Sequence, residues 1–490
     1  MRILLIHPPH DLMRSDRPIN YDLDTSQPLG LGYIAAALEQ AGHSVRVIDA
    51  KVEKLTSGAI AGKVVEFAPQ VVGIGAYTAD YCVAEELAKE IKSRGNYTII
   101  IGGRHVSALP EETMQAGCFD FGVIGEGEKT TVELVNAISA GVPEAFLQIN
   151  GIIFRNGADL VRTPPRAYID DLDSLSFPAR HLFPPLKRYN RVLSSFQPPR
   201  KVCILTSRGC CYRCTFCDHA VFGNRIRFRS INNVLDEIEI LKRQHGVRNV
   251  NIVDELFTLY PERVEQFCCG LKQRNIKITW TCFARVDQVT PKMLKLMCQA
   301  GCWMIGYGIE SGDQKVLDTI KKDVVLEKVE PALRWTSQAG IITLGYFIFG
   351  LPGDNAESMR KSLILADKLS FDRVGFSVAQ PYPGSELYKT ALALGQIRKD
   401  VEFRHYHNYC FPEKLAYIAQ GLDPEALRRA VEGGLRDFYL RPRYLLRQFF
   451  SFNKKAFLKQ VFFLLRAILA LGVLSAWTGH FSQGSIKEKR

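Results

Sequence analysis

KVCILTSRGCCYRCTFCDH, residues 201–219, joins a short apolar run to a loop carrying Cys210, Cys214 and Cys217 in the spacing Cys-x3-Cys-x2-Cys. The run VCILT reads as a buried strand, so three thiolates leave one strand end and can converge on one metal centre. Structural zinc sites take four ligands in two spaced pairs. No fourth Cys or His follows at such spacing, and His219 is the nearest candidate for a zinc reading. A cubane iron–sulfur cluster normally takes four cysteines. Three in one loop leave one iron with an open position for an outside ligand, which is a site for chemistry.

Downstream of this loop, apolar runs alternate with amphipathic stretches: NVNIVD at 249–254, KITWTCF at 277–283, WMIGYGIE at 303–310, LGYFIFGLPG at 344–353 and RVGFSVAQPYPG at 373–384. With VCILT they make six strand–helix units, which predicts a partial or full α/β barrel. Upstream the pattern is similar: ILLIH, a helix over Leu31–Ala41, SVRVID, a helix before Pro69, VVGIGA, a helix over Val83–Ser93, YTIIIGG and FGVIG. That order predicts an open parallel sheet of Rossmann or flavodoxin type. Ligands of such sheets bind at the carboxyl ends of the strands, where this chain carries Gly75–Thr78, Gly102–His105 and Gly125–Glu128. Glycine there lets a large ligand approach the backbone.

Between the two patterns lies a Pro-rich stretch with a short strand-like GIIFR, read as a linker. The expected divisions are 1–145, a linker at 146–194, the barrel at 195–415 and a helical, basic and apolar region at 416–490. No period of 20–50 residues repeats, which argues against a solenoid. The chain opens MRILLIHPP, a first buried strand rather than a signal peptide, so synthesis into the cytoplasm is expected. Thirteen cysteines, scattered through apolar segments, suit a reducing compartment better than a disulfide framework.

Net charge is +12, unevenly spread. Between Arg436 and Arg466 there are eight basic residues and one acid, Asp437, followed through Trp477 by the apolar run VFFLLRAILALGVLSAW. A spanning helix needs about 20 apolar residues. The 17 residues here, interrupted by Arg466, suit a helix lying on protein or on a membrane surface. Aromatic residues mixed with Leu and Ile point to that surface rather than to nucleic acid, which is not expected as a partner.

The cysteine motif, with Phe216 before its third Cys, resembles that of the radical S-adenosylmethionine (radical SAM) superfamily. The resemblance implies a [4Fe–4S] cluster on Cys210, Cys214 and Cys217 whose open iron chelates S-adenosylmethionine and cleaves it to a 5′-deoxyadenosyl radical. Cys211 stands where many relatives have Pro, a small departure. Residues expected to contact the cosubstrate are Phe216, Asp254 and Glu255 for its amino group, Glu310 and Ser311 for its ribose, and the Gly350 segment for adenine. The pieces PLGLGYIAAALEQAGHSVRVID, VVGIGAYT, IGGRHVSALPEE and FGVIGEGE resemble the cobalamin-binding domain that precedes many radical SAM enzymes. By that resemblance Gly75, Thr78, Gly102, Gly103, His105, Gly125, Glu126, Gly127 and Glu128 surround cobalamin. The motif Asp-x-His-x-x-Gly, whose His ligates cobalt in other cobalamin domains, is absent, which implies either cobalamin without a protein histidine beneath it or a domain that binds none.

These cofactors together imply methyl transfer to an unactivated carbon or phosphorus, with one S-adenosylmethionine recharging cobalt and a second generating the radical. The alternative within the family is oxidation, cyclisation or rearrangement without a methyl group, as in tetrapyrrole ring formation. A non-catalytic cobalamin sensor is a third class, and the open-iron loop argues against it. A tRNA methylthiotransferase would need a second set of three cysteines in the first domain, where only Cys82 and Cys118 occur. The expected partners are a small substrate, lipid-like or tetrapyrrole-like in view of the apolar tail, and an electron donor of flavodoxin or ferredoxin type. Peripheral contact with the cytoplasmic membrane through the tail is also expected.

Overall fold

Arg2–His7 (β1) is buried from its second residue onward and pairs in parallel with Ser44–Asp49 (β2) on one side and Val71–Gly75 (β3) on the other. The computed structural model describes residues 1–9, 26–189, 201–398, 400–406 and 414–451. Thr98–Gly102 (β4) and Phe121–Val123 (β5) continue in parallel, so the strands run β2-β1-β3-β4-β5. The chain reverses direction of growth between β1 and β3, and that reversal opens a crevice above their carboxyl ends. Side chains alternate along each strand. Ile3, Leu5, Ile100 and Val123 pack under helices Leu29–Gln40 and Gly127–Ala140, while Leu4, Ile6, Val72 and Ile101 pack under Ser57–Phe67 and Tyr81–Ser93.

The first sheet does not stop at residue 145. Ile152–Asn156 (β6) and Asp159–Arg162 (β7) add to it antiparallel beyond β5. The segment GIIFR, read as part of a linker, is therefore a strand of the first domain. An unpaired β5 would be an exposed sheet edge, and Ile152, Ile153 and Phe154 gain burial by covering it.

The second sheet is assembled from Lys201–Ile204 (β8), Asn249–Ile252 (β11), Thr279–Ala284 (β12), Cys302–Glu310 (β13), Ile342–Phe349 (β14) and Arg373–Val378 (β15), with the short ribbon Ser207–Arg208 (β9) and Arg227–Phe228 (β10) beside it. All six strands are parallel in the order β15-β14-β13-β12-β11-β8. The two ends do not pair, so this is a partial barrel. The open edge at β15 is covered by the helix Pro424–Tyr439, which starts at an Asp423 cap. Its Tyr439 hydroxyl donates to Val374 O at 2.7 Å and accepts from Val374 N at 3.1 Å, occupying both backbone groups of that edge residue. A further helix covers Pro442–Ser451. The apolar run 461–477 lies outside the described residues. Among the described residues no helix is long and apolar enough to cross a membrane.

Candidate functional site

The cysteine loop leaves β9 through Gly209, whose φ of +89° brings its backbone against the Arg225 carbonyl, where a Cβ would collide. The middle of the loop is tied to the barrel: Thr215 N donates to Ile320 O at 3.0 Å and Thr215 O accepts from Leu387 N at 2.7 Å. Cys214 is buried, and Cys210 and Cys217 are half-buried. The Cys217 thiol donates to Cys214 and holds it down to about 7 against the opposing effect of burial, with the Lys322 ammonium assisting. Cys217 is raised in turn because it gives that bond. Burial pushes Cys210 up to about 11. Among the described residues no group of three or more His, Cys, Asp or Glu side chains is placed to hold one metal ion, whether the three cysteines alone or a zinc set with His219. A cubane spreads its cysteines over separate irons, and three thiols on one strapped loop beside a buried cation suit that charge distribution.

Glu310 ends β13 at a register shift against β14, and its φ of +68° is a conformation non-glycine residues seldom adopt. Its buried carboxylate accepts from Lys322 Nζ at 2.7 Å. Burial works against the Lys322 ammonium, but Glu310 and the thiols of Cys214 and Cys217 outweigh it and leave its pKa above the usual value. A Cβ at Gly308 would strike the Glu310 carboxylate and stand 3.0 Å from Lys322 Nζ, so that glycine makes room for the pair. Ser311 is buried with its hydroxyl 3.4 Å from that of Ser362. Gly312 packs on the helix that carries Ser362, Ala356–Lys368, where a Cβ would lie 2.7 Å from Lys361 O. Gly350 N donates to Asp354 at 2.9 Å, closing the turn after β14. Phe216 packs against the cluster of Val316, Leu317 and Leu351, with Lys322 Nζ 6.0 Å from its ring centre. The cysteine loop, Glu310, Ser311 and the Gly350 turn thus share the carboxyl end of the barrel.

Asp254 and Glu255 differ although they are adjacent. Asp254 is buried and accepts from Thr206 N at 2.6 Å and from the Ser207 hydroxyl at 2.7 Å, and also from the Thr206 hydroxyl, which fastens β8 to β11. Burial still raises its carboxyl. Glu255 is exposed, but only into a cavity whose walls likewise hold its carboxyl above the usual range.

That cavity, about 720 Å³, lies between the two domains. Gly75, Gly102, Gly103, Gly125, Glu126, Gly127 and Glu128 line it from the first domain, and Leu205, Arg208, Phe222, Val253 and Glu255 from the barrel. It continues down between the first sheet and helix Leu29–Gln40 past Leu5, Gly73 and Ile34. Small-molecule and cofactor sites occupy cavities of about 300–1,000 Å³, so its size is that of a ligand site, and its glycine-lined mouth lets a ligand approach the backbone. His7 Nδ1 lies 3.0 Å from Asp49, which also accepts from the Tyr189 hydroxyl at 2.9 Å, at the cavity's edge.

Two residues expected beside the cofactor stand elsewhere. Thr78 is buried at the start of a 3-10 turn and does not line the cavity. His105 is completely buried, stacked on Tyr81 at 4.0 Å between ring centres and edge-on to Phe403 at 4.7 Å. Among the described residues neither ring nitrogen has a partner, and burial lowers its pKa to about 3, so it packs as a neutral ring. Glu126 and Glu128 line the cavity, yet their carboxylates are engaged: Arg208 donates to Glu126 at 2.7 Å and to Glu128 at 2.6 Å, and Arg227 to Glu126 at 2.6 Å. Arg208, Arg227 and Lys322 were not among the sequence candidates. Their partners are 80, 101 and 12 residues away, and no motif spacing flags such pairs.

Family comparison agrees with this geometry. Residues 23–135 match the B12 binding domain and residues 204–366 the radical SAM superfamily. An uncharacterized methyltransferase of Pyrococcus horikoshii is 32% identical over 92% of this chain and 95% of its own length. Cytidylyl-2-hydroxyethylphosphonate methyltransferase of Streptomyces wedmorensis is 27% identical, covering 80% of this chain and 82% of its own. Anaerobic magnesium-protoporphyrin IX monomethyl ester cyclase of Rubrivivax gelatinosus is 26% identical, covering 97% and 85%. The fold resembles that of the radical SAM methyltransferase TsrM of Kitasatospora setae, with a TM-score of 0.69 at 20% identity over 91% of this chain and 90% of that one. With a B12 binding match followed by a radical SAM match, and a relative 32% identical over 92% of this chain, the chain belongs to the cobalamin-binding radical SAM enzymes.

Proposed function

We propose that the protein is a cobalamin-dependent radical SAM methyltransferase acting on an unactivated carbon or phosphorus of a small, apolar molecule. The observation that carries this reading is the shared cavity: the glycine loops of the first domain and the strand ends of the barrel face one space, with the segment leading into the cysteine loop in its wall. Cys210, Cys214 and Cys217 would hold the cluster, and Gly75, Gly102, Gly103, Gly125 and Gly127 would admit the corrin. When bound, the cluster, S-adenosylmethionine and cobalamin supply a radical and a transferable methyl group. The chain's own residues hold and orient. Lys322 occupies one Glu310 oxygen and leaves the other for a ribose hydroxyl, while Ser311 and the Gly350 turn bound the cosubstrate. Glu255 faces the cavity as a carboxyl able to accept from an ammonium. Asp254 is assigned a structural part, fastening β8 to β11. Apolar walls keep water and stray hydrogen donors from the reacting centre.

The cyclase relatives support a second reading, in which the substrate is oxidised and closed without gaining a methyl group. One assay separates the two: enzyme reconstituted with cobalamin and given labelled methyl-S-adenosylmethionine, a one-electron donor of flavodoxin type and candidate apolar substrates. Methyl transfer puts label in the product with S-adenosylhomocysteine formed alongside 5′-deoxyadenosine. Product without label, with 5′-deoxyadenosine alone, overturns it in favour of the cyclase. Peripheral membrane contact belongs to the tail after residue 451, outside the described residues, and is tested by membrane partition of the full chain.

A further inference from the structure

The cysteine loop is pinned to the first domain at both of its ends. Two residues before Cys210, Arg208 spans two separate carboxylates, Glu126 and Glu128, with all three side chains at most 7% exposed. Immediately after Cys217, the Asp218 carboxylate accepts from Arg104, the first residue of the short helix Arg104–Ala108 after β4, at 3.4 Å and from Ala220 N at 2.8 Å. Asp218 is also pressed by the turn at Gly384, where a Cβ would collide with its carboxylate. The middle of the loop is tied to the barrel through Thr215. Arg104, Glu126, Glu128 and Arg208 all line the interdomain cavity. The segment bearing the cysteines is therefore strung between the barrel and two cavity-lining stretches of the other domain.

We propose that Arg208 and Asp218 are positioning residues that couple the cysteine loop to the occupancy of the cavity, so that cluster and cobalamin each favour the other's binding. The inference rests on the proposed cofactors. A ligand in the cavity meets Gly102–Arg104 and Gly125–Glu128, and those segments hold Asp218 and Arg208. Such coupling is reciprocal by thermodynamic necessity. Its benefit is that the radical-generating centre is fully formed only when the methyl carrier is present. A lysine at 208 carries the charge but cannot fork between two carboxylates as a guanidinium does.

The test reads binding. Dissociation constants for hydroxocobalamin are measured by equilibrium dialysis on full-length protein with its cluster and on the same protein after iron chelation. For the wild type the cluster should tighten cobalamin at least about 5-fold, the lower end of ordinary allosteric coupling. In Arg104→Gln and Arg208→Lys that ratio should fall below about 2-fold. Asp218→Asn, which keeps an acceptor for Ala220 N but loses the charge that faces Arg104, should lower it likewise. Arg104 is 40% exposed, so its substitution leaves the packing of the domain in place, and circular dichroism checks this for each variant. A wild-type ratio near one, or an Arg104→Gln ratio equal to the wild type's, overturns the coupling while leaving the enzyme assignment standing. Failure of both wild-type forms to bind cobalamin overturns the coupling and the proposed function together.

Discussion

Removing Lys322 separates what the Glu310 pair does for stability from what it does for binding. Both side chains are less than one-tenth exposed and 2.7 Å apart, at the end of a barrel strand. Lys322→Ala leaves a buried carboxylate with no cation, and truncating one member of a buried pair costs about 3–5 kcal/mol. For a domain of this size each kcal/mol lowers the melting midpoint by about 2–4 °C, so the barrel transition should fall by about 6–20 °C. Replacing both partners with apolar residues, Glu310→Leu with Lys322→Met, removes the uncompensated charge and should restore most of that loss. The double variant should nonetheless fail to bind S-adenosylmethionine, because the carboxylate proposed for ribose is gone. Anaerobic differential scanning calorimetry and isothermal titration of S-adenosylmethionine read the two quantities separately. A single variant melting within about 2 °C of the wild type, below the range just given, would refute the claim of a dry, mutually dependent pair. Cosubstrate binding by the double variant would refute the role of Glu310.

Gly312→Ala should destabilise the barrel by about 1–3 kcal/mol, since the new methyl meets backbone atoms of Lys361 and Ser362 rather than a yielding side chain, and thermal melting checks it. His105 has a folded pKa lowered from 6.5 to about 3, so the stability it contributes is present above 6.5 and is lost as pH falls towards 3. Relative to His105→Phe, the wild type should lose about 2 kcal/mol between pH 7 and pH 5, measured by urea unfolding of the two proteins in parallel. Equal pH dependence in both would contradict a neutral buried imidazole.

The parts of the fold carried by local pattern were legible in the sequence. Apolar runs ending in glycine marked the strands and their carboxyl ends, and spacing alone singled out Cys210, Cys214 and Cys217 as candidates. What failed to show were features set by distant partners. GIIFR reads as an isolated strand until β5 offers it an edge. His105 follows two glycines in a ligand-facing loop, yet Tyr81 and Phe403, 298 residues further on, enclose it. Asp254 and Glu255 are one unit in sequence, but successive residues beyond a strand end face opposite ways, so one fastens strands and the other meets the cavity. Arg208 looks like any loop arginine until Glu126 and Glu128 are folded against it.

The central claim is that one chain holds an open-iron cluster and cobalamin in a shared space. Its most direct test is anaerobic reconstitution with iron, sulfide and hydroxocobalamin, followed by measurement of bound iron, bound cobalamin and reductant-dependent 5′-deoxyadenosine in a single preparation. About four irons for a cubane and one cobalamin per chain are expected, with 5′-deoxyadenosine abolished and cobalamin still bound in Cys214→Ala. Protein that acquires no cluster, or a Cys214→Ala variant that forms 5′-deoxyadenosine as the wild type does, would contradict that claim.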